Sequence, residues 1–89
     1  DGTRLDFGNE VFERVFMVTV IGEVENKKEY LREIHRILKE SGILSISELA
    51  GDPDKMSKEE LKELVCTNGF KLKKQFGSSK NYTVNFIKP

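Results

Sequence analysis

The sequence predicts an α/β fold with the order β-α-β-α-β-β, a mostly parallel sheet and one antiparallel strand. Two β-rich runs are each followed by a stretch with helical apolar spacing, the pattern of parallel strands joined by helical crossovers. Two alternating runs, residues 70–76 and 82–86, flank the polar loop Gly77–Asn81 and predict a closing hairpin. With 89 residues, the chain is one small domain or part of a larger one.

The first strand and the first helix have recognisable limits. Residues Arg14–Ile21 are nearly all apolar, with β-branched and aromatic members, which is typical of a parallel strand covered on both faces. Gly22 breaks this run. Asn26, with Glu29 three residues later, is a suitable N-cap ahead of an apolar stripe at helical spacing. Gly42 supplies the left-handed residue that commonly ends a helix.

The second strand and the second helix follow the same logic. The short β-rich run Ile43–Glu48 predicts a strand, which the loop signal Gly51-Asp52-Pro53 ends. Ser57 and Glu60 form an S-x-x-E capping box, and the pair Asn68-Gly69 is expected to close the helix. Each strand is thus followed by its own helix before the hairpin begins.

Composition excludes several classes of function. Fifteen basic and fifteen acidic side chains give a net charge of zero, which argues against nucleic acid as the main partner. The longest apolar stretch, Val15–Val18, is far too short to span a bilayer, and no signal peptide is recognisable, so we expect a cytoplasmic protein without a membrane partner. The single cysteine, Cys66, is expected to be a buried, inert thiol, and one Cys with one His (His35) argues against a metal site.

The predicted topology brings three loops to one edge of the sheet. In open α/β sheets, ligands bind outside the carboxyl ends of the parallel strands. Here this edge, which we call the rim, consists of Thr19–Glu25, Glu48–Lys55 and the hairpin loop Gly77–Asn81. Glu23 and Glu48 lie on the rim as candidates for contact with a substrate, although a carboxylate at a strand end can equally cap a helix or face water. No hydrolytic triad can be built, because His35 lies in the middle of the first helix.

Several segments, in their order along the chain, resemble the motifs of class I methyltransferases. The residues that carry the resemblance are Asp1-Gly2-Thr3-Arg4-Leu5-Asp6-Phe7, Val11-Phe12-Glu13-Arg14-Val15, Val20-Ile21-Gly22-Glu23-Val24 and the segment from Leu31 to Leu44. They are similar to the family's D-[AG]-x-x-L-P-F, F-D-x-V and L-H-H-V motifs and to its L-x-E-[IA]-x-R-V-L-K-P-G-G-x-L segment. Asp6 replaces the usual Pro, Glu40-Ser41 replaces Pro-Gly, and Glu23 replaces the second His.

The resemblance implies a three-layer, Rossmann-like fold with the strand order 3-2-1-4-5-7-6. Residues 1–89 would be the C-terminal half of this S-adenosylmethionine-dependent methyltransferase domain, without the glycine-rich half that holds most of the cofactor. By the same resemblance, Asp1, Gly2, Thr19 and Val20 would contact the cofactor. Glu23 and Glu48 would face an unidentified small-molecule or lipid-like methyl acceptor.

Two further expectations follow from the resemblance. Without the upstream half, residues 1–89 should have negligible cofactor affinity and no turnover, and the strand Arg14–Ile21 should expose an apolar edge through which the chain self-associates. The alternative is a non-catalytic α/β module that binds protein or nucleic acid. The sequence upstream of Asp1 would distinguish the two, because only the enzyme requires a glycine-rich turn there.

Overall fold

The computed structural model describes residues 5–53 and 55–89 and confirms the predicted order of elements. The elements are listed here in chain order: strand β1 (Phe12–Val18), a 3₁₀ helix (Ile21–Glu23), helix α1 (Lys27–Ile37), strand β2 (Leu38–Glu48), helix α2 (Lys58–Cys66), strand β3 (Lys71–Gly77) and strand β4 (Tyr82–Ile87). The hairpin of β3 and β4 closes the sheet as expected.

The four strands form one mixed sheet in the order β1-β2-β4-β3. β1 pairs with β2 in parallel, and β4 is antiparallel to both β2 and β3. Strands β1, β2 and β3 therefore run in the same direction, and the single reversed strand lies between β2 and β3. This arrangement agrees with the last four strands of the order that the family resemblance implies.

Both helices contribute to one core on one face of the sheet. The alternating residues Leu44 and Ile46 of β2 and Val84 and Phe86 of β4 are fully buried on this face. The helices cover them with fully or almost fully buried side chains: Leu31, Ile34 and Ile37 from α1 and Leu61 and Val65 from α2. The described residues thus supply two of the three layers that the resemblance implies.

The prediction that the first strand extends over Arg14–Ile21 and is covered on both faces is wrong. β1 ends at Val18, because Thr19 takes a left-handed backbone with φ of +52° that cannot continue a strand. Phe16 is 68% exposed and Val18 53% exposed, since β1 is an edge strand and its outer face has no covering layer among the described residues. The expected apolar edge is therefore present.

Gly42 does not end the first helix as predicted. α1 ends at Ile37, and Leu38 already has the extended backbone of β2. Gly42 lies inside β2, where an added Cβ would come within 2.7 Å of the Lys39 carbonyl oxygen. Close backbone packing therefore requires a glycine here. The C-terminal carbonyl groups of α1 are capped instead by Lys88, whose Nζ donates to the carbonyl oxygens of His35 (2.7 Å) and Leu38 (2.8 Å).

The local helix signals of α1 and α2 are confirmed. The Asn26 side chain accepts from the Glu29 backbone N–H, and Ser57 and Glu60 form a complete capping box. Gly69, in the turn after α2, has φ of +97°, the left-handed conformation expected of a glycine near a helix C-terminus. The expectation for Cys66 is wrong, because this last residue of α2 is exposed.

The buried position of Leu44 generates a stability prediction. Leu44→Ala should lower the free energy of unfolding by about 2 to 5 kcal/mol, because it removes a fully buried side chain from the centre of the sheet. Leu72→Ala is the matched control on β3, where the side chain is 44% exposed, and should cost about 1 kcal/mol or less. Urea-induced unfolding followed by circular dichroism measures both. Equal losses would contradict the assignment of the core to this face.

Candidate functional site

The structure brings the three segments of the rim together. The Thr19 backbone N–H, just after β1, donates to the Ser47 carbonyl oxygen at 2.9 Å. Glu48, the last residue of β2, pairs with Tyr82, the first residue of β4. The Ala50 backbone N–H donates to Asn81 Oδ1 at 2.7 Å and so connects the second loop to the hairpin loop. The prediction that these loops share one edge is confirmed.

Lys55 links the loop after β2 to the hairpin loop by hydrogen bonds. Its Nζ donates to the carbonyl oxygens of Ser79 (2.6 Å) and Lys80 (2.5 Å), both in the hairpin loop. The same ammonium lies 5.7 Å from the centroid of the Tyr82 ring. Sequence reasoning could not identify this contact, because a lysine in a loop has no sequence signal that distinguishes it from the other lysines.

The candidates after β1 lie at the start of the rim. Thr19 donates its hydroxyl to the Val18 carbonyl oxygen at 2.7 Å. Val20 is 37% exposed and precedes the short 3₁₀ helix, in which Glu23 is exposed. The Glu23 backbone N–H donates to the Val20 carbonyl oxygen at 3.0 Å, which turns the chain sharply away from the strand. At the end of β1, the exposed apolar side chain of Val20 is therefore adjacent to a tight turn.

Glu48 is the unusual residue of the rim. Its side chain has no solvent-exposed surface, and its two carboxyl oxygens have no hydrogen-bond partner among the described residues. Burial is the largest cause that raises the pKa of Glu48, and the negative charges of Asp52 and Glu23 raise it further, while Lys55 opposes them. Its position at the end of a strand was predictable, but its burial beside Tyr82 depends on the tertiary fold.

Tyr82, like Glu48, is buried close to negatively charged side chains. Burial, followed by the negative charge of Glu48, raises the pKa of Tyr82 to about 12. Its hydroxyl donates to the Met56 carbonyl oxygen at 2.5 Å. The helix-covered side of the rim is therefore a region of negative potential that contains an aromatic ring.

A shallow apolar groove opens on the other side of the rim, on the uncovered face of the sheet. Its residues come from the ends of β1, β2 and β3, the start of β4 and the adjoining loops: Val18, Ser47, Leu49, Phe76, Gly77, Asn81, Tyr82 and Thr83. Phe76 and Leu49 are each 46% exposed here. The rim thus offers a polar, buried side and an apolar, open side.

Asp1 and Gly2 lie outside the described residues. The segment that follows them is held against α1 by Arg36, which donates to the carbonyl oxygens of Leu5 (3.0 Å) and Phe7 (2.8 Å). Arg36 also forms a two-pronged pair with Glu33, with Nη2 to Oε1 at 2.9 Å and Nε to Oε2 at 3.1 Å. Residues of the first helix therefore fix the course of the chain from residue 5 onward.

Within residues 5–53 and 55–89, no group of three or more His, Cys, Asp or Glu side chains could hold a metal ion. In the same part of the chain, no helix is long and apolar enough to cross a membrane.

Comparisons with known proteins point to methyltransferases. A family model described as a methyltransferase domain matches residues 1–46. No curated protein sequence matches the chain. A SAM-dependent methyltransferase from Aquifex aeolicus is 15% identical, with a TM-score of 0.91 over 100% of this chain and 52% of its own length.

Two further structures give the same result. A SAM-dependent methyltransferase from Thermotoga maritima is 19% identical, with a TM-score of 0.83 over 99% of this chain and 61% of its own length. One from Methanosarcina mazei is 14% identical, with a TM-score of 0.80 over 99% of this chain and 64% of its own length. At these identities the likeness shows the fold, and the chain spans between about half and two thirds of each structure.

The buried carboxyl group predicts a pH dependence of stability. In the unfolded chain Glu48 titrates near its ordinary value of 4.5, and in the folded chain its pKa is higher. The folded state therefore keeps the proton longer, so the stabilisation is fully present below 4.5 and is lost as the pH rises through the folded pKa. Glu48→Gln, which has no proton to lose, should remove this fall.

Urea unfolding at a series of pH values from about 4 to 8 measures the effect. Glu63→Gln, which changes an exposed glutamate of α2, is the matched control and should keep the wild-type slope. Parallel curves for the wild type and Glu48→Gln would show that the Glu48 pKa is not raised.

Proposed function

Because its family model matches residues 1–46, more than half of the 89 residues, this chain belongs to the methyltransferase-domain family. We propose that it is the C-terminal half of an S-adenosylmethionine-dependent methyltransferase domain. The intact protein would transfer a methyl group to a small-molecule or lipid-like acceptor. A cytoplasmic location remains a prediction of the sequence.

The observation that carries this proposal is the convergence of three loops at the rim. β4 lies between β2 and β3 and is antiparallel to both. The loop that joins β3 to β4 therefore lies at the edge where β1 and β2 end. Ligands of open α/β sheets bind at this kind of edge. The hydrogen bonds from Thr19 to Ser47 and from Ala50 to Asn81 hold the three segments within reach of one ligand.

The residues at the start of the rim fit one side of an adenosine-bearing cofactor. Val20 offers an exposed apolar side chain, and the left-handed turn at Thr19 leaves the strand end open to a ligand. Asp1 and Gly2, which lie outside the described residues, would contribute the remaining contacts from this chain. The cofactor would supply an electrophilic methyl group on a positively charged sulfur. The chain would contribute chiefly by aligning the acceptor in a water-poor pocket.

The apolar groove supports an acceptor with a hydrophobic part. Val18, Leu49 and Phe76 line it directly beside the rim, so an apolar acceptor could lie there with its reactive atom at the strand ends. Glu23, which is exposed on the same edge, is a candidate for polar contact with the acceptor. A dedicated base is not required for every acceptor, because the sulfur leaving group needs no protonation.

The cofactor assignment is tested in the longest natural protein that contains this chain. Isothermal titration with S-adenosylhomocysteine should show saturable binding, and Val20→Asp should weaken it about tenfold or more, because a carboxylate would replace an apolar contact. Residues 1–89 alone should bind negligibly.

Val11→Asp is the matched control for this experiment. Val11 is also an exposed valine, but it precedes β1 at the opposite end of the strand. Its substitution should leave the affinity unchanged. Absence of binding by the unmodified protein would overturn the proposed function and favour a non-catalytic binding module.

We also propose that residues 1–89 self-associate through β1. The strand is at the edge of the sheet, and Phe16 and Val18 are exposed beside its unpaired backbone groups. Light scattering should show dimers or larger species at high concentration, and Phe16→Lys should reduce them because a charge disfavours edge pairing. Leu49→Lys, an equivalent change outside the strands, should not. A monodisperse wild-type monomer would exclude this interaction.

A further inference from the structure

The Glu48 carboxyl group is a buried acceptor without a donor. It has no exposed surface, and neither oxygen receives a hydrogen bond from the described residues. Leaving a carboxyl group unpaired inside a protein costs free energy, so such groups in native structures are usually explained by water, a ligand or a functional role. This one lies at the end of β2, on the edge where the cofactor is proposed to bind.

The surroundings of Glu48 favour a positively charged occupant. Glu23 from the turn after β1 and Asp52 from the loop after β2 both place negative charge near it. The Tyr82 ring is its cross-strand neighbour, and Glu59 and Glu60 of α2 add to the negative potential at that ring. Among the described residues, the positive group that acts on Glu48 is Lys55, whose ammonium is already bonded to two carbonyl oxygens of the hairpin loop.

We propose that Glu48 binds the N–H group of the methyl acceptor, and that this acceptor is a primary or secondary amine. The inference rests on the proposed methyltransferase function and specifies its substrate class. An ammonium group supplies both features that the site lacks, which are hydrogen-bond donors for the two carboxyl oxygens and a neutralising charge. The aromatic face of Tyr82 adds a further favourable contact for a cation.

Access to Glu48 requires a neighbouring side chain to move, because the carboxyl group has no exposed surface. Lys55 can move at low cost, since its bonds to Ser79 and Lys80 are exposed and its stem is flexible. An ammonium ion that enters beside Tyr82 replaces the positive charge of Lys55 near Glu48.

The transfer step balances with Glu48 as the proton acceptor. The bound ammonium group passes one proton to the Glu48 carboxylate and becomes a neutral amine. The nitrogen lone pair then forms the new N–C bond while the methyl carbon–sulfur bond breaks, and its electron pair goes to sulfur. The methylated product leaves as an ammonium ion, and the proton on Glu48 returns to solvent. A raised pKa suits this task, because it makes the Glu48 carboxylate a stronger proton acceptor than an ordinary glutamate.

Small probes test the amine site without knowledge of the complete acceptor. The experiment uses the longest natural protein containing this chain, with S-adenosylhomocysteine present and the Glu48 carboxyl carbon observed by NMR. Methylammonium should cause a saturable shift of that signal and lower the Glu48 pKa. Tetramethylammonium, which has the charge but no N–H, should bind at least about tenfold more weakly, as expected for loss of a hydrogen bond to a charged group. Ethanol and formate should have no saturable effect.

Two variants complete the test, with Tyr82 as the reporter signal. Glu48→Gln, which preserves shape, should weaken methylammonium binding about tenfold or more, and Glu63→Gln on the exposed face of α2 should leave it unchanged. If S-adenosylhomocysteine binds but methylammonium does not, or if Glu48→Gln binds it as tightly as the wild type, the amine site is wrong and the methyltransferase function stands. Failure of S-adenosylhomocysteine to bind would overturn the proposed function itself.

Discussion

The pairing of β2 on both sides is the constraint on which the rest of the structure depends. β2 bonds to β1 in parallel and to β4 in the antiparallel sense, and its Leu44 and Ile46 are fully buried. Because β4 occupies the place beside β2, β3 can join the sheet only beyond β4. The hairpin loop must then return to the edge where β1 and β2 end, which creates the rim.

The register of this pairing is fixed from both faces. On the covered face, a shift of one residue would exchange Leu44 and Ile46 for serines. On the open face, Ser45 Oγ donates to Asn85 Oδ1 at 2.6 Å, and the hydroxyls of Ser47 and Thr83 are 2.6 Å apart. These side-chain pairs would be lost in any other register. The register in turn places Glu48 opposite Tyr82. The pairing at the rim therefore follows from the alternation of serine with leucine and isoleucine in β2.

Signals that act within a few residues were predictable from the sequence. The N-cap at Asn26, the capping box of Ser57 and Glu60 and the positive φ of Gly69 all concern contacts within one turn of a helix, and the structure confirms them. Hydrophobic alternation likewise predicted the hairpin, and the topology predicted that three loops meet. These features need no knowledge of which elements pack together.

The errors concern interactions between distant parts of the chain. Gly42 was expected to end α1, but Lys88, fifty residues beyond Leu38, caps that helix, and Gly42 is required by close packing inside β2. The apolar run of β1 predicted two covered faces, whereas no layer among the described residues covers Phe16. The burial of Glu48, which pairs with Tyr82 across the sheet, is a property of the tertiary fold. A carboxyl group at a strand end is ordinary in sequence, and it becomes functionally informative only when the fold removes both water and donors from it. Stability alone would favour an apolar residue at that position, so its presence on the edge where we propose that a ligand binds is better explained by chemistry than by folding.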